Sequence, residues 1–253
     1  MRIFLYSKPG LIPVDEIKEY LRERIKKGTI KARGDFSDHH LNKVEQLTKA
    51  LASIRVIDIF KPFRYNEPSY AEIEYEKRAL KGEIVPHGVL YDGFRLQGIL
   101  RGLLPRDERS LEDVHLVFTD RFFGTFDEED LRYHGRVIVL GYPAIISTTG
   151  LVEAPAKPRE FYIEKGLLSG DQLALEKLKQ RYKGRFIDYG DPRMGEVMKG
   201  YAMQAIFYQV FKEAFCKDKG CRLYNAHWQS EVIEAQLSSP EFCKRHARMA
   251  KDL

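Results

Sequence analysis

The chain has 253 residues, a formal net charge of +5, 43% hydrophobic and 31% charged residues. That composition can bury a core, and its Phe, Tyr and aliphatic runs argue against a disordered state. No apolar stretch reaches the roughly 18 to 20 residues a spanning helix needs, so no membrane partner is expected. The mild charge makes a nucleic-acid partner a poor expectation.

Residues 2–6 (RIFLY) read as a strand. After Pro13 comes an amphipathic helix, with Val14, Ile17, Tyr20, Leu21 and Ile25 at helical spacing. The opening segment is too short in apolar residues for a secretory signal. Ser37 is the expected N-cap of a second helix reaching about residue 52, with Asp38, His39 and His40 as its solvated first turn. Residues 54–60 (IRVIDIF) predict another strand, and 61–93, with Pro62, Pro68 and Pro86, read mainly as connection with a short helix at 69–80. Helical periodicity returns at 94–104 (FRLQGILRGLL). Strands are expected at 114–119 (VHLVFT), at 136–141 (RVIVLG) and, past Pro143, in AIIST at 144–148. Gly150, Pro155 and Pro158 predict loop over 148–169, followed by helices at 170–182, 193–215, 226–237 and 240–249. No repeats or clear linkers interrupt the pattern, which predicts an α/β (α+β) fold in a single domain over 1–253.

The helix at 193–215 is apolar on nearly every face between Val197 and Phe215, which places it in the middle of the domain. Gln204 and Gln209 are its main interior polar groups, and each amide, if buried, needs partners.

All three cysteines fall in the last 40 or so residues, as C-x4-C at Cys216 and Cys221 and C-x2-H at Cys243 and His246. Soft thiolates plus one imidazole in a tetrahedral array suit a closed structural zinc site, one Zn2+ with no open position. Lys217, Lys219, Lys244 and Arg245 lie beside these ligands and favour ionised sulfur. The other readings are three ordinary buried thiols with a surface histidine, or an iron–sulfur cluster, which mostly demands all-cysteine ligation. With three cysteines and no disulfide framework, a cytoplasmic compartment is the expectation.

The segment from about residue 199 to His246 resembles the archaemetzincins, a metzincin-like group of zinc peptidases. Their hallmark is HExxHxxGxxH followed at once by C-x4-C-x-M and a later C-x2-C. Cys216, Cys221 and Cys243 fall on three of the structural-zinc cysteines of that pattern and His246 replaces the last. In CRLYN at 221–225, Leu223 stands where the family has methionine. Upstream the likeness is softer and begins near residue 94, so it covers roughly 94–250. It implies a metzincin-like domain with a mixed sheet, a central buried helix and a zinc-bound helical module at about 212–250. The departure concerns the chemistry. Counting back from Cys216, the family's three histidines fall on Ala205, Gln209 and Phe215 and its glutamate on Ile206. Phe215 and Phe207 are expected to fill the vacated space with aromatic carbon.

In NAHWQSE at 225–231, His227 and Glu231 are four apart and could share a helix face, holding a metal or moving a proton. The plainer reading has Asn225 as N-cap, His227 hydrogen-bonded inside the fold and Trp228 in the core. His115 reads as a satisfied core histidine, His134 as exposed loop, Asp120 as a strand-end cap, and the acidic 124–135 stretch as surface. Three functions follow. The first is a non-catalytic zinc protein that binds a peptide or protein partner along AIIST, taken as an edge strand. The second is a hydrolase with a relocated site around His227 and Glu231, joined by His115 or Asp120. The third is a nucleic-acid adaptor using Lys217, Lys219, Lys244, Arg245 and Arg248.

Overall fold

The structure, a computed structural model, describes residues 1–38, 44–168 and 170–253. A five-stranded sheet runs in the order β2-β1-β4-β8-β7, from β1 (Arg2–Tyr6), β2 (Thr29–Arg33), β4 (Asp113–Thr119), β7 (Ile138–Val139) and β8 (Ala144–Ser147). The first four strands are parallel and β7 returns antiparallel against β8. A smaller sheet, β3-β5-β6, joins β3 (Leu90–Asp92), β5 (Phe122–Asp127) and β6 (Arg132–Arg136). This is the mixed α/β architecture expected.

Strand alternation divides the core. Ile3, Leu5, Leu116, Phe118 and Ile146 face one apolar cluster, whereas Phe4, Tyr6, Val117 and Ile145 face a second. Such strands read as continuous apolar runs because a parallel sheet is covered on both sides. The first cluster takes in α1 (Val14–Arg24) through Ile17, Tyr20 and Leu21, and α8 (Met194–Phe211). The second takes in α2 (Val44–Ser53) and α4 (Gly93–Leu103). Most of the 18 residues of α8 are buried, as its all-round apolar character predicts. At Gly200 the helix α9 (Gln229–Leu237) comes so close that a Cβ would collide with the Gln236 side chain.

Several expectations need correction. Residues 54–60 form no strand: only Arg55 bridges Tyr91, and Ile57 and Phe60 stand exposed. Pairing with the open edge of β3 is brief, through the Val56 N–H to the Leu90 carbonyl (2.8 Å) and the Asp92 N–H to that of Ile54 (2.9 Å), before Asp58 turns the chain by accepting from the Phe60 N–H. Residues 148–169 are not loop but hold α5 (Thr148–Glu153) and α6 (Arg159–Gly166), whose ends Pro155 and Pro158 mark rather than erase. Ser147 caps α5 by accepting from the Gly150 N–H at 2.7 Å. AIIST is internal, because β8 lies between β4 and β7, and the sheet edge on that side is β7. The helix expected at 69–80 is α3 (Tyr70–Leu80), opened by a Ser69–Glu72 capping box. Ser37 donates to Asp35 through its N–H and its hydroxyl, and the first turn it is expected to cap, with His39 and His40, lies outside the described residues. No helix among the described residues is long and apolar enough to cross a membrane.

Candidate functional site

The C-x4-C segment is a tight return held by its own backbone. Cys216 N–H donates to the Leu223 carbonyl (2.8 Å) and Cys221 N–H to that of Asp218 (3.1 Å). The Asp218 N–H in turn points at Cys216 Sγ (3.3 Å). Cys243 is the N-cap residue of α10 (Lys244–Met249), so a spacing of three brings His246 back over it. The four ligand atoms lie within 4.8 Å of one another. Cys216 Sγ is 3.9 Å from Cys243 Sγ, and His246 Nδ1 is 3.3 Å from Cys243 Sγ and 3.5 Å from Cys221 Sγ. A tetrahedral zinc with Zn–S about 2.3 Å and Zn–N about 2.0 Å separates its ligand atoms by about 3.8 Å (S–S) and about 3.5 Å (S–N). The donor set therefore fits a four-coordinate, thiophilic metal ion.

Sequence reasoning missed the residue behind these ligands. The Glu213 carboxylate lies 3.2 Å from His246 Nε2, and its other oxygen meets Arg245 at 2.5 Å. With Nδ1 bound to a metal, Nε2 would carry the proton and donate to Glu213, an arrangement that fixes the ring and raises its basicity as a ligand. Glu213 stands three residues before Cys216, and nothing in the spacing marks it. Burial raises the thiols of Cys216 and Cys221, the latter to about 12. Burial pushes on Cys243 too, but the backbone N–H groups of His246 and Arg245 outweigh it and hold that thiol below its ordinary value. Metal binding must then displace protons from at least the first two. Lys219 pairs with Glu231 and Arg245 with Glu213, which diverts two of the five cations considered for phosphate.

Above α8 lies an open cleft of about 550 Å³. One wall is formed by residues 134–140 and the floor includes Tyr201, Gln204 and Tyr208 of α8, with Phe215, Tyr224 and His227 also lining it. This corrects the expectation of an aromatic plug. Phe207 turns away to pack on Phe211, Phe242 and His246, and Phe215 is 42% exposed. Gln204 is buried; it donates to the Tyr224 carbonyl (3.1 Å), while its Oε1 has no partner among the described residues. Gln209 reaches out of the interior to the Leu111 carbonyl (2.6 Å). The helix stops at Lys212, whose backbone is left-handed (φ 59°), at the position the HExxHxxGxxH pattern gives to glycine.

His227 and Glu231 are joined through backbone and not through the ring. Glu231 Oε2 accepts from the N–H groups of His227 (3.0 Å) and Trp228 (3.2 Å), capping α9. Burial works against ionisation of this carboxyl, but those amides and Lys219 hold it below the ordinary range. Helix α9 begins at Gln229, later than an Asn225 cap would give, and Trp228 is 48% exposed rather than in the core. His115 is the expected core histidine, with Tyr6 OH at 3.1 Å from Nδ1 and the Glu108 carbonyl at 2.9 Å from Nε2. Asp120 binds Lys8 (3.2 Å) at the strand end. His134 is on β6 rather than in a loop, and with Asp127 and Asp130 it forms the other potential ligand group among the described residues. Asp130 there is shared with Arg132, and nothing further points to a metal.

Residues 1–253 match the family described as "Probable metallopeptidase family (DUF6775)". The chain belongs to that family. The metallopeptidase-type resemblance drawn from the cysteine spacing agrees with this membership. The chain is also similar to archaemetzincin from Methanopyrus kandleri, with 15% identity, a TM-score of 0.46 and coverage of 100% of this chain and 94% of that one. A search of curated proteins finds no match. Whether α8 could hold a second metal ion is a matter of the side chains at the positions where the HExxHxxGxxH pattern would fall. Ala205 and Ile206 offer no donor atom, the Gln209 amide is engaged with Leu111, and Phe215 is carbon. These residues do not fit such an ion.

Proposed function

We propose that the chain is a zinc-binding member of the metallopeptidase family that holds one structural Zn2+ through Cys216, Cys221, Cys243 and His246. In this reading it binds a peptide or protein segment in the cleft over α8 without cleaving it. The observation that carries it is the contrast between two places on one stretch of chain. The sulfur and imidazole groups converge within 4.8 Å of one another, whereas the cleft face of α8 presents Tyr201, Gln204 and Tyr208. A cleft of about 550 Å³ that stays open gives a binding role somewhere to occur. The edge strand β7, not AIIST, is the one beside it, and an extended segment could add to it by backbone hydrogen bonds.

Plasma emission spectrometry on the purified chain is expected to give one zinc per molecule. Casein and peptide pools are expected to survive incubation while being retained on immobilised protein. Two zinc ions per chain, or chelator-sensitive cleavage, would overturn the reading. A relocated hydrolytic site at His227 has less support, since Glu231 is committed to capping α9. Cleavage lost in His227→Ala would favour it.

A further inference from the structure

The wall of the cleft carries one arginine, two histidines and three tyrosines, and among its described lining residues there is no Asp or Glu. The arginine is Arg136, at the end of β6. Its Nε donates to Thr125 Oγ1 on the adjacent strand β5 at 2.8 Å, which fixes the guanidinium plane. No carboxylate among the described residues meets its two Nη groups. Every other described arginine that is buried or half-buried has an acidic partner, among them Arg33 with Glu108, Arg121 with Glu76 and Arg222 with Glu196. A guanidinium that is half-withdrawn from water, oriented by a hydroxyl and left without a counter-charge is a ready fork for a carboxylate. The edge strand β7 follows Arg136 by two residues and runs along the same wall, so a chain paired there would carry its side chains past the fork.

We propose that the occupant of the cleft is an extended peptide bearing an acidic side chain, which docks on the free Nη groups of Arg136. This rests on the peptide-binding role of the cleft and adds the chemistry of the partner. Thr125 is then a positioning residue, and the tyrosines and the two phenylalanines of the wall, Phe94 and Phe215, accept apolar or aromatic neighbours of the acidic residue.

The test uses the metal-loaded full chain and three biotinylated decapeptide pools, random except for a fixed central Glu, Gln or Lys, read by biolayer interferometry. The Glu pool is expected to bind roughly tenfold or more tighter than the Gln pool, the usual worth of a charged hydrogen bond, and the Lys pool weakest. Arg136→Gln should erase the Glu-over-Gln preference, and Arg136→Glu should turn it towards Lys. Arg136→Lys keeps the charge and loses the fork, so it should fall between and serves if the glutamine variant does not fold. Equal binding of all pools, unmoved by these substitutions, overturns the acidic assignment and leaves the peptide cleft standing. Binding of none overturns both. Binding of a single-stranded oligonucleotide that depends on Arg136 would place a different polymer there and also overturn it.

Discussion

Replacing Cys221 by serine removes one of the four proposed ligands from a site with no solvent contact at that position, where Cys221 is 0% exposed. Structural zinc sites contribute about 10 kcal/mol or more of folding free energy, against about 5–15 kcal/mol for the net stability of a whole domain. The loss cannot be local bookkeeping, because the ligands join three pieces of chain. Those pieces are the return after α8, the Cys221 turn whose Arg222 N–H donates to the Glu241 carbonyl (2.7 Å), and α10. A serine hydroxyl left in that enclosed place also costs about 1–3 kcal/mol if unpaired. We expect Cys221→Ser to lower metal content. Hydrogen exchange should accelerate across residues 210–250 by a factor of 10² or more, roughly 3 kcal/mol at about 1.4 kcal/mol per tenfold, while β1 and β4 stay protected. Chelation of the wild type should reproduce the pattern. Exchange that rises uniformly along the chain, or not at all, would refute the idea that an ion holds this region.

Glu213→Ala should leave the four ligands in place and weaken metal affinity about 10- to 100-fold, as loss of a carboxylate behind a histidine ligand does; a competition titration with a chromophoric chelator measures it. Glu76 is 0% exposed between Arg55 (2.6 Å) and Arg121, so Glu76→Ala should cost about 3–5 kcal/mol by stranding buried cations, seen in the urea midpoint. Hydrogen bonding from Arg33 holds the Glu108 carboxyl below the ordinary range, and Arg2 does the same for Asp113. Both contribute stability at neutral pH that is lost as pH falls below about 4 towards their lowered folded values. Glu108→Gln should flatten that acid limb of the melting temperature, and an unchanged limb would exclude the pair as its source.

Where the sequence carried strong periodic signal, the fold was legible. RIFLY, VHLVFT and AIIST are strands because each must be apolar on both faces to lie within a covered parallel sheet. Strand β2 (TIKAR) escaped notice for the converse reason: at the edge of the sheet it can carry charge, and its pattern is mostly polar. The run at 54–60 misled because alternation records the wish of side chains to be half-buried and not how long the chain stays beside its neighbour: the ladder to β3 ends after Val56, and Asp58 turns the chain away. Cys216, Cys221, Cys243 and His246 were readable as a set because ligand chemistry limits both residue type and short spacing. Glu213 and Arg136 were not, since each acts through a partner distant in sequence: His246 for one, Thr125 on a neighbouring strand for the other. The cleft itself is a property of packing. Whether Phe207 faces it or turns its back was decided by Phe211 and Phe242, and composition is silent on that.

The left-handed residue at 212 has a longer reach than its size suggests. A side chain with a Cβ sits there at a cost of about 1–2 kcal/mol relative to glycine, eased by the Lys212 ammonium closing on the Gln209 carbonyl at 2.9 Å. The sharp bend is thus imposed by what the chain must reach on either side, Leu111 before it and Leu223 after it, and not by the residue that makes it. A path dictated from outside tolerates exchange of the groups strung along it. Chemistry in such a place can be erased, or written in again, by swapping side chains on a track that does not have to be relaid.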